Sequence, residues 1–547
     1  MAALGMSLTR RECLRALLAG SVAGSCRRNG RTIGGSIVGG ASARGHLLRE
    51  GARPAATSWE ETTVVIAGGG VAGLSAAWAL ARAGLQDFVV LELEEAAGGT
   101  ARSGQCAVTP YPWGAHYVPI PDPANAPMVE LLDEVGAVAG RGARGEPEYA
   151  EDVLCRDPQE RLFYRGEWYE GLYPRVGASA RDLRELEAFE EEMRSWACRR
   201  GPDGRRAFAA PRAFGSAGDG ESRKLDGISM EDYLASRGFH SERLRWYVEY
   251  ACRDDFGAAL SDTSAWAGVQ YFASRIPESG VEPVDLLSWP EGNGRLVNHL
   301  ARVSGDRVRT GALVTDVVQR GDGVDATYVD ASGQARGIRA RHGVLAVPRF
   351  LARRIVAPYR DRLPEHAGAE VVGPWMVANL TLSDRPQSRG FPLAWDNVLY
   401  GSPSLGYVVA THQSGKDIGA TVLTYYYPFL GDPGTDRTAM LATPWEQWVD
   451  LVLRDLGPAH PGMRELVERV DVYLWGHAMV RPVVGSMWNP GLAEAARPLG
   501  RLRFAHTDLS GMALFEEAQH WGLVAARSIL DDEGLETPAW LSAGGAA

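Results

Sequence analysis

Three glycines, Gly68, Gly70 and Gly73, stand directly after a β-branched run, Thr62-Thr63-Val64-Val65-Ile66-Ala67. Glu92 closes a second such run, Phe88-Val89-Val90-Leu91, about 20 residues further on. This spacing suits a bound dinucleotide. Gly68 permits a tight turn, Gly70 lets backbone approach a pyrophosphate, and Gly73 lets a helix pack on the preceding strand. Val71 and Ala72 open that helix, whose free N–H groups and positive dipole end favour phosphate. Glu92 is spaced to accept from ribose hydroxyls. Groups for proton transfer are fewer. His116 and His506 titrate near neutrality, and Tyr117 adjoins the first of them. Tyr407, His412 and Tyr425 are further candidates for a pocket. The six cysteines, at positions 13, 26, 106, 155, 198 and 252, form no C-x-x-C pair and no Cys/His spacing suited to zinc, so no metal site is expected.

The elements that must position these groups are legible in outline. Leu74 to Ala83 has a helical pattern stopped by Gly84. Ser229 to Arg237 reads as a helix capped by Ser229, with Asp232 completing a box-like pattern, and Ser241 to Cys252 reads as another. Val371 to Leu382, Asn397 to Tyr400, Tyr407 to His412 and Thr421 to Tyr427 are rich in β-branched and aromatic residues between turn signals, which predicts an antiparallel sheet. A chain of 547 residues exceeds the size of a single growing core, so two domains are expected.

The continuation of the glycine loop narrows its ligand. Glu92-Leu93-Glu94-Glu95-Ala96-Ala97-Gly98-Gly99-Thr100-Ala101-Arg102-Ser103 resembles the second glycine motif of the flavin amine oxidase superfamily. That resemblance implies FAD, with Gly98, Gly99 and Arg102 reaching its diphosphate. Tyr111-Pro112-Trp113-Gly114-Ala115-His116-Tyr117 is similar to the family stretch beside the isoalloxazine ring, which implies that His116 and Tyr117 lie near the chemistry. Trp289 to Leu296 and Val308 to Val318 resemble the family's return to the FAD domain, where the backbone of Val314 would hold the adenine. Arg503 to Asp508 and Ser510 to Gly522 resemble its closing strand and helix, with Phe515 at a helix start facing the flavin N1 and C2 carbonyl. The implied fold is α/β: a Rossmann-like FAD-binding domain interleaved with an α+β substrate domain, as in amine oxidases and GDP dissociation inhibitors. On this reading 61–125, 285–348 and 495–532 bind FAD, 126–284 and 349–494 form the substrate domain, and 533–547 is a tail.

The chain departs from the family at three places. The lysine that holds a water at flavin N5 in amine-oxidising members falls at about Ala378, and the chain's two lysines, Lys224 and Lys416, lie in a helical region and a turn. The family's Phe-Ala-Gly-Glu reads Phe504-Ala505-His506-Thr507, with the carboxylate displaced to Asp508. No cysteine follows Cys252, so the C-terminal cysteinyl-flavin link of some relatives has no counterpart. The expectation is an FAD-dependent oxidoreductase that removes hydride from a C–N or C–C bond of a small organic substrate and passes electrons to oxygen or another acceptor. Two alternatives stay open: a relative of carotenoid desaturases and protoporphyrinogen oxidase acting on a larger apolar substrate, and a non-catalytic fold relative.

A formal charge of −11 argues against nucleic acid as the partner. Arg10-Arg11 precedes a short apolar run, Ala16 to Gly24, which resembles a twin-arginine export signal and places the protein in the periplasm or otherwise outside the cytoplasm. Ala41-Ser42-Ala43 offers a cleavage site, and Cys26 in a poor lipobox offers a lipid anchor, the one membrane contact expected besides the leader. Residues 1–60 are read as leader and linker, and no later segment is long and apolar enough to span a bilayer.

Overall fold

The structure, a computed structural model, describes residues 32–216, 219–277, 286–365 and 370–543. Arg10, Arg11 and Cys26 lie outside the described residues. The chain runs from β1 (Gly34–Ile37) and α1 (Ser42–His46) to β2 (Trp59–Ala67), α2 (Val71–Arg82) and β3 (Phe88–Leu91). β4 (Glu160–Tyr164), β5 (Glu167–Glu170), α3 (Glu242–Phe256) and α4 (Ala265–Ala273) follow. Next come β6 (Val308–Arg309), β7 (Leu313–Arg320), β8 (Gly323–Val329) and β9 (Ala335–Leu345), then β10 (Val372–Leu382), β11 (Asp396–Leu399), β12 (Gly406–Val409) and β13 (Thr421–Pro428). α5 (Trp445–Leu456), β14 (Val467–Val480), β15 (Leu502–Phe504) and α6 (Phe515–Glu533) complete the elements used below.

One sheet carries the glycine loop. Its strand order is β6-β3-β2-β9-β8-β7, with β15 beside β9. β2 runs parallel to β3 and β9, and β9 parallel to β15. Parallel strands are covered on both faces, which is why β2 and β3 read as continuous apolar runs: Val64, Val65, Ile66, Phe88, Val89 and Val90 are all buried. On one face α6 lies hard against α2. A Cβ built on Gly522 of α6 would stand 2.1 Å from the Ala72 carbonyl oxygen, so only glycine allows this approach.

The second sheet has the order β1-β14-β10-β13-β12-β11-β4-β5. Its side chains alternate faces with the period of two that a strand imposes. Met376, Ala378, Leu380, Tyr407 and Tyr425 pack on the far side with Trp448 and Val452 of α5. Val377, Val398, Val408, Tyr426 and Tyr473 pack on the near side with Tyr111 and Trp113, which lead into His116. The four strands expected from the sequence are all present and mutually antiparallel, but the sheet is mixed: β11 pairs parallel with β4, and β1 parallel with β14.

The stretch read as linker, at least from Gly34, is built into the fold. β1 pairs Gly34 to Ile37 with Arg469 to Val472. Ala41 N–H donates to both carboxylate oxygens of Glu94, at 2.9 and 3.1 Å. Arg44 donates to the carbonyls of Gly311, Val329 and Asp330. The linker reading rested on missing apolar periodicity, yet β1 pairs through backbone alone. Gly35 has a φ of 126°, and a Cβ there would lie 1.9 Å from the Val470 carbonyl oxygen.

Candidate active site

β2 ends at Gly68, with a φ of 107°, and Gly70 is the N-cap of α2. A Cβ on Gly68 would lie 2.3 Å from the Ala346 carbonyl oxygen, and one on Gly73 would lie 1.9 Å from that of Gly68. The turn therefore closes and the helix seats only with glycine at both positions. No side chain caps α2, so the first turn, Val71, Ala72 and Gly73, keeps N–H groups for an anion. Glu92 is buried at the end of β3, where its oxygens accept from the N–H groups of Gly69 and Glu94, each at 2.8 Å. Burial raises its carboxyl above the usual range, opposed by those two donors. Gly98 and Gly99 have φ values of 121° and 56°, and Gly98 N–H donates to the Gly69 carbonyl at 2.7 Å, so the second glycine pair sits directly on the first loop. α6, which begins at Phe515, also lacks a side-chain cap. The Glu517 carboxylate in its first turn is engaged by the Arg212 N–H and the Ser510 hydroxyl. A glycine cradle that a Cβ would fill, a buried acid and two uncapped helix starts fit FAD.

Beside the cradle, His116 and Tyr117 face a chamber enclosed by the near face of the second sheet and by α3. The His116 ring lies 4.9 Å from Tyr426, 5.3 Å from Trp395 and 5.2 Å from Tyr117. Strand register lays one polar row across the roof: Glu160 is opposite Asp396, Asp396 opposite Val408, Val408 opposite Thr424, Thr424 opposite Asn379, and Asn379 opposite Asp471. Thr424 donates to Asn379 at 2.6 Å, and Asn379 donates to the Pro112 carbonyl at 3.0 Å, which ties the row to the segment carrying His116. From α3, the helical spacing of Tyr247, Tyr250 and Asp254 puts three groups on one face. Tyr250 donates to Asp396 at 3.1 Å.

The chamber is acidic. Burial alone pushes Glu160 up to about 7. Asp254 is also pushed up to about 7, by burial and then by Asp255. Asp396 stands well above the carboxylate range because of burial, then Glu160 and Asp254. All three keep some accessible surface. Asp255 belongs to a separate cluster, paired with Arg275 at 2.8 Å and reached by Tyr117 at 3.4 Å. Burial holds His116 down at about 4, so its ring is neutral at pH 7.

The residues singled out in the sequence divide among three places. Gly68, Gly70, Val71, Ala72, Gly73, Glu92, Gly98 and Gly99 form the cradle, and Phe515 starts the helix beside it. Val314 lies on β7, two residues beyond Ala312, whose N–H donates to the Glu92 carbonyl. Arg102 turns toward the second sheet: its guanidinium donates to the Tyr473 hydroxyl, lies 4.7 Å over that ring and is 3.8 Å from Glu94. His116 and Tyr117 line the chamber, whereas His506 sits with Asp508 in the turn before α6, 3.2 Å from its carboxylate. Against the upward push of burial, His506 and Arg349 hold Asp508 below the usual range, and Arg349 N–H donates to it at 2.7 Å. Tyr407 and Tyr425 point away from the chamber, to Arg161 and His460 and to Asp455. His412 bonds the Arg156 carbonyl. The position expected for the family's lysine is about Ala378. Ala378 is on the far face, and the residues on the near face are Val377 and Asn379. Lys224 and Lys416 are both exposed, so neither reaches the chamber. Glu160, Asp254, Tyr250, Trp395, Asp396 and Tyr426 were missed. Alternation along Thr421 to Tyr427 would have separated Tyr426 from Tyr425, but assigning either to the site needs a known face.

The sequence profile of the flavin containing amine oxidoreductase family matches residues 71–530. Among solved structures, the chain superposes on putrescine oxidase bound to putrescine with a TM-score of 0.63, at 19% identity, covering 86% of this chain and 100% of that one. Cyclohexylamine oxidase from Brevibacterium oxydans IH-35A gives 0.62 at 20% identity, covering 87% and 100%. A CLA-producing fatty acid isomerase from P. acnes gives 0.58 at 16% identity, covering 86% and 98%. No curated protein matched. At these identities the likeness is one of fold, while the profile spans most of the chain and agrees with the cradle. The chain is thus an FAD-dependent oxidoreductase belonging to the flavin-containing amine oxidoreductase family.

Proposed function

We propose that this enzyme oxidises a C–N bond of a small amine, with electrons passing on to oxygen or another acceptor. The observation that carries this reading is the chamber itself, where the rings of His116, Trp395 and Tyr426 stand beside Asp254 and Asp396. Aromatic faces attract an ammonium group, and buried carboxylates penalise an apolar chain in the same space. A desaturase substrate is poorly served there. Bound FAD supplies the hydride acceptor. The protein's own part is binding and proton handling. The rings orient the amine and exclude water. Asp254, poised at about 7, takes the ammonium proton so that the amine is neutral when its C–H bond breaks. His116, neutral at this pH, adds no competing positive charge.

Anaerobic mixing of the holoenzyme with n-butylamine, benzylamine, amino acids and an apolar polyene tests this. Amines should bleach the flavin; bleaching by the polyene alone, or by none, overturns the reading. We also propose export by the twin-arginine route, on Arg10-Arg11 and the apolar run behind it. Replacing both arginines by lysine should strand the holoprotein in the cytoplasm, and unchanged export would remove that proposal.

A further inference from the structure

A second cavity, of about 340 Å³, runs along α6 and shares no lining residue with the chamber. Glu516, Gln519, His520, Leu523 and Arg527 line it, and their spacing of three and four keeps them on one face of the helix. Gly522, seated against Ala72 of α2, is on the other side, so the cofactor cradle and the cavity use different faces of α6. Phe214 and Leu523 give the cavity apolar walls. Its inner end is polar. Glu516, in the first turn of α6, is 7% exposed, and its carboxylate makes no hydrogen bond or ion pair with another described residue. Burial pushes it up to about 7. His520, one turn on, is 8% exposed, and its ring nitrogens bond no described group. Burial holds it down at about 4, so the ring is neutral, with Phe214 edge-on at 6.1 Å. Asn125 lines the same cavity from the start of the helix Ala126–Glu134. Its Oδ1 accepts from the Met128 N–H, while its Nδ2 has no partner among the described residues. Gln519 donates to the Pro127 carbonyl at 3.4 Å, which sets this segment against the turn that carries His520. At the outer end Asp532 is already engaged by Arg501 and Arg503. Recognition therefore falls to the inner end.

The three groups select the charge of what they bind. An anion would be opposed by Glu516. A cation would meet the Asn125 donor, and Glu516 already lies in the field of Arg275. A neutral group that carries both a donor and an acceptor suits all three: its N–H reaches the Glu516 carboxylate, its carbonyl accepts from Asn125 Nδ2, and the neutral imidazole of His520 serves either side. Buried polar groups left unmatched are costly, so a ligand that matches them gains affinity and selectivity together. We infer that this cavity is a second binding site, for a neutral carboxamide or lactam whose apolar body packs on Phe214 and Leu523. The inference is independent of the amine reading of the chamber. The two sites are nonetheless close, because Glu516 senses Arg275 and Asp255, the pair that Tyr117 joins at the chamber wall.

The test titrates benzamide calorimetrically into the flavin-loaded protein, beside benzoate and benzamidinium, its anionic and cationic matches in shape. Two variants locate the binding. Leu523→Trp fills the cavity, and Asn125→Asp keeps the helix cap through Oδ1 while removing the donor. Benzamide should bind the wild type, and each variant should weaken it about tenfold or more at an unchanged flavin-to-protein ratio. The charged matches should bind the site that Leu523→Trp closes at least about tenfold more weakly than benzamide. Absence of benzamide binding, or tighter binding of either charged match at that site, overturns the inference. Benzamide binding that both variants leave unaltered places it in the chamber and overturns the inference as well, while amine oxidation stands or falls by flavin bleaching alone.

Discussion

Replacing Glu160 by glutamine removes one of two like charges that meet across β4 and β11, and its effect should reverse the usual expectation for losing a carboxylate. The group titrates at about 7 in the fold against an ordinary value of 4.5. Below about pH 4.5 it is protonated in both states. Between there and pH 7 the folded chain keeps a proton that the unfolded chain has released, so this stabilising contribution is lost as pH rises through the folded value. Each pKa unit corresponds to 1.36 kcal/mol. The full effect at pH 8 is therefore about 3 kcal/mol in favour of the variant, reduced where Asp254, Asp396 and Tyr247 readjust. With unfolding entropy near 2 cal/mol/K per residue over about 500 residues, that is roughly 3 °C in Tm. Scanning calorimetry of the substrate-free holoprotein at pH 5 and pH 8, at one ionic strength, reads it directly. Glu160→Gln should match the wild type at pH 5 and exceed it at pH 8. A variant that is less stable by the same margin at both pH values would refute the reasoning, because the carboxylate would then have a partner.

Three further outcomes follow from geometry. Gly73→Ala drives a Cβ to 1.9 Å from the Gly68 carbonyl oxygen, so α2 must lift off its turn; FAD affinity should fall about tenfold or more, read as flavin-to-protein ratio after gel filtration, and full loading would contradict the cradle. Arg161→Met strips a fully buried guanidinium from Asn397, Ser388, Phe391 and Tyr407 and should cost about 3 kcal/mol, measured as lowered Tm. Because Arg161 is on the far face, substrate preference should not move, and a changed preference would place it in the site. Gly35→Val should unpair β1, exposing Arg44 and Arg49 to limited trypsin cleavage that the wild type resists.

The cofactor half of the molecule is legible in sequence because its chemistry is local. Gly68, Gly70 and Gly73 act through backbone within one strand-turn-helix, and Glu92 follows at a distance set by that unit. The chamber is different in kind. Glu160, Asp254 and Asp396 lie far apart along the chain and meet only through the β4–β11 register and one face of α3. A shift of one residue exchanges Tyr425 for Tyr426 or Ala378 for Asn379. Sequence reading could name the strands yet not say which face met the flavin. β14 escaped because Glu468, Arg469 and Asp471 interrupt its apolar pattern, and β1 because pairing by glycine leaves no side-chain signal.

β1 also bears on the order in which the molecule comes together. It is among the first described residues to be synthesised, but its partner strand, β14, emerges only after most of the chain. The carbonyls that receive Arg44 come from yet another stretch, and the acid that receives Ala41 from a third. The start of the chain can dock only when all of these are in place. Docking of β1 therefore comes after both sheets have formed, and it marks their completion.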